Sequence, residues 1–302
     1  MDEDHLWLAD RFEEERGHLR SVAYRMLGSL SEADDAVQEA WIRLSQSGAD
    51  EVENLSAWLT TIVARVCLNM LRSRNSRREE PIEAHVPDPV ISPVRELWPE
   101  EEAVLADSVG LALLVVLDTL TPGERLAFVL HDMFDLPFEE VAPLVGRTPA
   151  AARQLASRGR RRVKGADVPT PDPDLARQRA VVDAFFLAAR RGDFGALVAV
   201  LDPEVVLRID AGPERPAASM VIDGAEAVAK QARIGLRAVF ARPVVHLQPA
   251  LVNGAAGMVV TWGEEPMTVM GFTVAGGKIV EIDAIADPKR VRKIAAEFLA
   301  DQ

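Results

Sequence analysis

Apolar residues recur along the chain with two different periods, and the change from one to the other divides it. From about residue 4 to residue 78 the spacing is helical. Leu59, Ile62, Val63, Val66 and Met70 share one stripe of a helix predicted over about 55–73, and Val37, Trp41 and Leu44 share a stripe of the helix before it. Ser31-Glu-Ala-Asp34 has capping-box spacing, which predicts that this earlier helix starts there. A further apolar helix is predicted over about 102–120. Thr121-Pro-Gly-Glu124 then supplies N-cap, N1 proline and N3 glutamate. Two short helices follow, 138–145 and 149–163, joined by Gly146-Arg147-Thr148, where glycine ends the first and Thr148-Pro149 caps the second. Such a pair is a candidate helix-turn-helix.

After residue 174 the reading is helices near 174–191 and 193–200, a strand near 205–209 and a helix near 225–239. The pattern then turns β, with strands predicted over 244–252, 256–262, 267–274 and 278–285 and glycine or asparagine at the turns. Helices followed by a meander predict an α+β domain with a curved sheet. Two stretches interrupt the patterning. Pro81, Pro87, Pro89, Pro93 and Pro99 rule out regular helix across the first, and the second is Ala166 to Asp174. The expected organisation is multidomain: all-α domains over 1–80 and 103–167, an acidic proline-rich linker over 81–102, and the α+β domain over 168–302.

Composition narrows the class. The 302 residues are 48% hydrophobic and 27% charged with a mean hydropathy of +0.03, which excludes global disorder. The longest apolar run, Val109 to Leu117, is nine residues, against about 20 needed to cross a bilayer. The acidic start MDEDHLWLAD lacks the layout of a signal peptide, and the single Cys67 fits a reducing compartment. A soluble, cytoplasmic chain with no membrane association is expected. The five histidines (5, 18, 85, 131, 246) are dispersed, so no metal or other cofactor is expected.

A net charge of −13 argues against a nucleic-acid partner only if the charge is evenly spread. It is not. Arg147 to Lys164 carries seven basic residues and no acid, Arg65 to Arg78 is a second acid-free basic stretch, and Glu79 to Asp107 holds nine acids against Arg95. In the 149–163 helix, Ala151, Leu155, Gly159 and Val163 form a small or apolar face. Arg153, Ser157, Arg160, Arg161 and Lys164 project elsewhere, a layout suited to a major groove; the alternative is an ordinary solvated basic helix. On the 55–73 helix, Trp58, Thr61, Arg65, Asn69 and Arg72 share a face that runs into Arg74, Arg77 and Arg78. Aromatic, amide and guanidinium groups together suit single-stranded nucleic acid or a flipped base, or else a solvated face with Trp58 half-buried.

DDAVQEAWIRL (34–44), AWLTTIVARVCLNMLRSRNSRRE (57–79) and LTPGERLAFVLHDMFDLPFEEVAPLVGRTPAAARQLASRGRRRV (120–163) together resemble an extracytoplasmic-function RNA polymerase sigma factor, region 2 followed by region 4. The C-terminal part resembles a SnoaL-like domain of the NTF2-like superfamily, a cone-shaped fold, and the pairing is similar to the subgroup that carries its regulator in cis. The resemblance implies the partners and the site. Asp34, Asp35, Gln38 and Glu39 would dock on the clamp helices of the polymerase β′ subunit, and region 4 on the β flap. Trp58, Arg65, Asn69, Arg72, Arg74, Arg77 and Arg78 would hold the opened −10 element. Thr148, Arg153, Ser157, Arg160, Arg161 and Lys164 would read the −35 element, and the acidic linker would thread toward the active centre.

Three motifs of the cis-regulated subgroup have partial counterparts in Glu96-Leu-Trp-Pro-Glu100, Asp210-Ala-Gly-Pro-Glu-Arg215 and Ala286-Asp-Pro-Lys-Arg290. They imply that Trp98, Asp210, Arg215, Asp287 and Lys289 make regulatory contacts between domains. The implied function is promoter-specific initiation without enzymatic activity of the chain's own. The rival reading is an NTF2-like small-molecule enzyme or ligand sensor fused to a DNA-binding domain, with Asp210, His246, Trp262, Glu264 and Asp283 as its candidate polar groups.

Overall fold

The computed structural model describes residues 3–47, 54–77, 84–94, 110–166 and 168–300. They divide into two compact units, one made of residues 1–80 and 116–167, the other of 81–115 and 168–302. The two helical segments expected as separate domains therefore share a unit, and the described residues 84–94 of the proline-rich stretch belong with the sheet.

In the first unit, α1 (Glu3–Leu27), α2 (Leu30–Ser47) and α3 (Leu55–Arg77) pack on one another around Phe12, Leu19, Met26, Leu44, Leu59 and Leu68. Gly28 ends α1 with a φ of 68° and donates its N–H to the Tyr24 carbonyl at 2.8 Å. The α2 start differs from expectation. The helix begins at Leu30, and the Ala33 amide donates to the Ser29 carbonyl, so Ser31 lies inside the first turn and does not cap it.

Within the described residues the next helix, α4, runs Leu111–Asp118, shorter than the 102–120 expected. Thr121 opens α5 (Pro122–Phe128) with the reciprocal Thr121–Glu124 capping box. A π-helical turn over Val129–Met133, which the sequence pattern did not announce, leads to α6 (Phe138–Val145). Gly146, at φ 67°, ends α6, and Thr148 caps α7 (Pro149–Gly165). The buried stripe of α7 is Ala152, Ala156 and Gly159, rotated by about one residue from the expected Ala151/Leu155/Gly159/Val163 face. A Cβ on Gly159 would lie 3.1 Å from the Phe128 Cβ and 3.3 Å from the Glu124 carbonyl, so only small side chains let α7 approach α5 this closely.

The second unit is the expected α+β fold. Its helices are α8 (Leu175–Arg191), α9 (Phe194–Val200) and α10 (Ala225–Phe240), with α11 (Pro288–Ile294) and α12 (Ala296–Ala300) at the end. The strands are β1 (Ile91–Pro93), β2 (Leu201–Asp210), β3 (Met220–Asp223), β4 (Val245–Val252), β5 (Ala255–Trp262), β6 (Glu265–Ala275) and β7 (Lys278–Ile285). They form one seven-stranded sheet in the order β1-β4-β5-β6-β7-β2-β3, antiparallel except for the parallel β2/β7 pair. One face carries the core. Phe185 and Phe186 of α8 meet Phe272 of β6 edge-on at 5.7 and 5.8 Å, among Leu197, Leu207, Val228, Met258 and Ile282. On the opposite face, Gly257 and Gly271 are paired across β5 and β6, and Val252 and Leu111 fill the space their missing side chains leave.

Gly257→Ala is expected to destabilise the sheet unit, because its Cβ would sit 2.3 Å from Val252 and 2.8 Å from the Met270 carbonyl. Overpacking of this kind costs about 1–3 kcal/mol, to be read as a lower denaturant midpoint with an unchanged slope.

Candidate nucleic-acid interface

The helical unit sorts its arginines by whether a carboxylate holds them. In region 1–47 the exposed ones are paired: Arg11 with Glu14 at 2.9 Å, Arg16 with Glu13 at 2.6 Å, Arg20 with Asp34 at 2.7 Å and Arg43 with Glu39 at 3.0 Å. On α3, Arg65, Asn69 and Arg72 are exposed on the face opposite Leu59, Val63 and Cys67, with Trp58 and Thr61 half-buried nearer the start of the helix. Among the described residues neither Arg65 nor Arg72 has an acidic partner. Arg74 is turned away from this face. It donates to the Leu27 carbonyl at 3.0 Å and pairs with Glu32, tying α3 to the other two helices. The Arg77 side chain, Arg78 and Trp98 lie outside the described residues.

On α7, Thr148, Arg153, Arg161 and Lys164 are exposed, and Ser157 and Arg160 are half-buried. Arg153 lies over the Phe138 ring at 5.0 Å, and Phe138 in turn stacks on His131. Arg160 is held by Asp132 at 2.6 Å, which raises its already high pKa. Arg162 pairs with Glu124 at 3.3 Å. No carboxylate holds Arg153, Arg158, Arg161 or Lys164 among the described residues. On α2, Asp34, Asp35 and Gln38 are exposed and Glu39 is half-buried, beside an Ile42 that is 41% exposed.

The two helical segments of this unit meet through a buried cation. Arg125 of α5 is 2% exposed; it donates from Nε to the Arg25 carbonyl at 3.0 Å and pairs with Asp118. His18 of α1 meets Phe134 edge-on at 5.3 Å, and Arg25 lies over the same ring at 4.9 Å. Burial pushes the Cys67 thiol up to about 12, so it stays protonated and unreactive.

In the sheet unit the charges converge on Asp210. This carboxylate, 1% exposed, accepts from the His85 ring at 3.0 Å, from the Val86 amide at 3.0 Å and from Arg290 at 2.6 Å. Arg290 also pairs with Asp88 at 2.6 Å and donates to the Val86 carbonyl. Asn253 exchanges two hydrogen bonds with Val90, at 2.8 and 2.9 Å, and β1 then pairs with β4. Residues 85–93 are thereby strapped to the sheet. Burial disfavours the Asp210 charge, but the bonds from His85 and Val86 and the Arg290 charge outweigh it and hold this carboxyl well below its ordinary range.

The other expected regulatory residues do local work. Arg215 donates to the Ala286 carbonyl, Asp287 caps α11, and Lys289 forms an exposed pair with Glu214. The polar groups of the rival reading are scattered. His246 and Glu264 are exposed and Trp262 is 49% exposed. Asp283 is buried beside Arg208 and Glu281 on the sheet face away from the aromatic core, where burial and the Glu281 charge push its pKa up to about 7 against the pull of Arg208. The core-lined face is filled by side chains. Among the described residues no cluster of His, Cys, Asp and Glu is arranged to hold a metal, and no helix is long and apolar enough to cross a membrane.

Residues 11–77 match the family model for Sigma-70 region 2 and residues 110–163 that for Sigma-70 region 4. The ECF RNA polymerase sigma factor SigJ of Mycobacterium tuberculosis is 38% identical over 288 residues, 92% of this chain and 91% of that one. The chain belongs to the extracytoplasmic-function RNA polymerase sigma factors. The probable ECF sigma factor SigI of the same species is 32% identical over 94% of each chain. The crystal structure of M. tuberculosis SigJ superposes with a TM-score of 0.73 at 35% identity, covering 93% of this chain and 97% of that one. The coverage includes the α+β domain, so the whole layout is shared.

This sigma factor keeps its region 2 helices in α1–α3 and its region 4 helices in α4–α7. Four residues of its linker strap escaped sequence reasoning: His85, Asp88, Asn253 and Arg290. Arg290 was the most findable, since it sits in the Ala286–Arg290 motif that drew attention to its neighbours. His85, Asp88 and Asn253 carry no periodic signal.

Asp210→Ala is expected to lower the stability of the full chain by about 3 kcal/mol, because it leaves Arg290 buried with one partner fewer, and to speed amide exchange at Val86 and Val90. Since the Asp210 carboxyl is depressed in the folded state, its contribution is fully present above about pH 4 and is lost as the pH falls below the ordinary carboxylate range. The variant's stability curve should therefore converge on that of the wild type only in acid.

Proposed function

We propose that this sigma factor uses Arg65, Asn69 and Arg72, with Trp58 beside them, to hold the opened non-template strand of the −10 element. Arg153, Ser157, Arg160, Arg161 and Lys164 of α7 read the −35 element as duplex. One observation carries the reading: among the described residues of the helical unit, the exposed cations left without a carboxylate partner concentrate on these two faces. A cation already neutralised by a neighbouring acid releases few counterions from DNA, whereas an unpaired one gains the full phosphate interaction. Arg160 stands between the cases, with Asp132 holding its guanidinium in a fixed direction as a positioning partner would. Arg74 is omitted because its guanidinium is engaged with Glu32 and the Leu27 carbonyl.

The acidic face of α2, with Ile42 at its edge, docks on the β′ clamp helices, and region 4 on the β flap. The protein acts in the cytoplasm with core polymerase and has no enzymatic activity of its own.

The −10 and −35 elements lie about 25 base pairs apart, roughly 85 Å at 3.4 Å per step. Region 2 and region 4 are packed together through Arg125, and packed helices sit only about 8–10 Å apart. The compact form is therefore a resting state, and promoter binding requires the Arg125 contact to open. The strap over 85–93 lets the α+β domain govern the linker that joins the two regions, which is regulation in cis.

In promoter-specific transcription with core polymerase, Asn69→Ala with Arg72→Ala should abolish strand opening while duplex binding persists. Arg153→Ala with Arg161→Ala should weaken −35-dependent binding by about 1–3 kcal/mol per lost base contact. Asp210→Ala should change transcript yield without changing core affinity; an unchanged yield would remove cis regulation from the reading. Cysteines placed at His18 and Phe134 and joined by a cleavable bismaleimide should silence transcription until the linker is cut, and activity that persists in the cross-linked protein would refute the resting-state reading.

A further inference from the structure

The sorting of cations that marks the two promoter faces has a third instance, in the α+β domain. Residues 168–302 are close to neutral overall, with 15 basic and 17 acidic residues. Yet Arg190 and Arg191 at the end of α8, and Lys230, Arg233 and Arg237 on α10, are all exposed. The α10 residues lie at i, i+3 and i+7 on the side opposite the buried Val228, Ala229, Ala232 and Leu236. None of the five has an acidic partner among the described residues. Glu226 stands four residues before Lys230 on the same stripe and forms no ion pair with it, and the nearby Asp193 is occupied as the α9 N-cap, accepting from the Ala196 amide at 2.9 Å.

Two aromatic rings fix this group in place. Arg233 lies over Phe194 at 5.7 Å and Arg190 over Phe240 at 5.9 Å. Stacking of this sort holds a guanidinium out from the surface without consuming its charge. Between the helices runs an open groove of about 520 Å³ lined by Phe194, Glu226, Ala227, Lys230 and Arg233. The exposed arginines Arg11, Arg16 and Arg43 of α1 and α2 stand in carboxylate pairs. This patch instead repeats the composition of the α7 face, down to an arginine lying over a phenylalanine.

We propose that the patch Arg190/Arg191/Lys230/Arg233/Arg237 is a third nucleic-acid contact, which grips the phosphate backbone of duplex DNA without reading its sequence. The inference rests on the promoter-binding reading of the first two faces and extends it: the regulatory domain is itself a DNA-contacting element. The groove holds no array of aligned amides or hydroxyls that would read bases, so its contribution is electrostatic and independent of sequence. An acidic protein surface is the competing occupant.

The test titrates the holoenzyme, full-length protein assembled with core polymerase, into a labelled 40-base-pair duplex, with and without promoter sequence, between 50 and 200 mM salt. Core-polymerase affinity is measured in parallel. Lys230→Gln/Arg233→Gln/Arg237→Gln is compared with Arg190→Gln/Arg191→Gln and with Arg153→Gln/Arg161→Gln on α7. All the substituted patch residues are exposed, and unchanged thermal unfolding verifies folding. At about 0.9 per phosphate contact, the α10 triple variant should flatten the log–log salt slope by about 2.7 and the α8 double variant by about 1.8, equally on both duplexes. Slopes unchanged in both patch variants but flattened by the α7 variant would overturn the third contact and leave region 4 recognition standing. Lower core affinity with unchanged DNA slopes would overturn it in favour of an acidic protein partner. No effect from any variant would remove the duplex-binding reading of α7 as well.

Discussion

A carboxylate that stays ionised in a dry place needs donors on every side, and Asp210 draws them from two segments far apart in the chain. His85 and Val86 reach it from the linker, and Arg290 from the last part of the α+β domain. Arg290 in turn requires Asp88 and the Val86 carbonyl, which commits still more of the linker. Once residues 85–90 are held there, Val90 meets Asn253 and the chain continues as an edge strand on β4. Residues 85–93, between region 2 and region 4, are thereby held by a buried charge in a domain that follows both regions. A stretch whose prolines forbid a helix and favour an extended path is well suited to being an edge strand, because proline removes donors that an edge can do without.

The same rule organises the helical unit at another scale. Arg125 is buried, and it reaches the Arg25 carbonyl of region 2 through Nε and Asp118 just ahead of α5 through one amino group, while the other finds no acceptor among the described residues. Buried charges join distant segments in both units, while exposed charges divide into those cancelled by neighbours and those left open. Exposed pairs such as Arg11–Glu14 add little stability, typically under about 1 kcal/mol. Their consequence is to quiet parts of the surface. A protein of net charge −13 presents positive potential to DNA only where such pairing is withheld.

The inner face of the sheet is a closely packed aromatic and aliphatic core. Phe185, Phe186 and Phe272 meet edge to face at its centre, and Leu207, Met258 and Ile282 close around them. On the outer face Gly257 and Gly271 leave room for Val252 and Leu111, and Glu281 and Asp283 on that side are tied to Arg208.

The sequence by itself determined most of the helices, the four-strand meander and the family, but not the π-helical turn, the short strands β1 and β3 or the last two helices. What it determined depends on neighbours: the Thr121–Glu124 capping box, Gly146 at its left-handed turn and the alternation along β4 to β7 each act within a few residues, and the proposed promoter faces are stripes of single helices. Tertiary structure alone decided the rest. The buried face of α7 turned by one residue, because Gly159 has to pass the Phe128 side chain and the Glu124 carbonyl. Arg74 left the basic face because Glu32, on another helix, came within reach. The strap of His85, Asp88, Asn253 and Arg290 joins residues up to 204 positions apart, as Arg125 joins α5 to Arg25. A charge is written in the sequence, but its partner is chosen by which segments the fold brings within about 3 Å, and no local pattern records that distance.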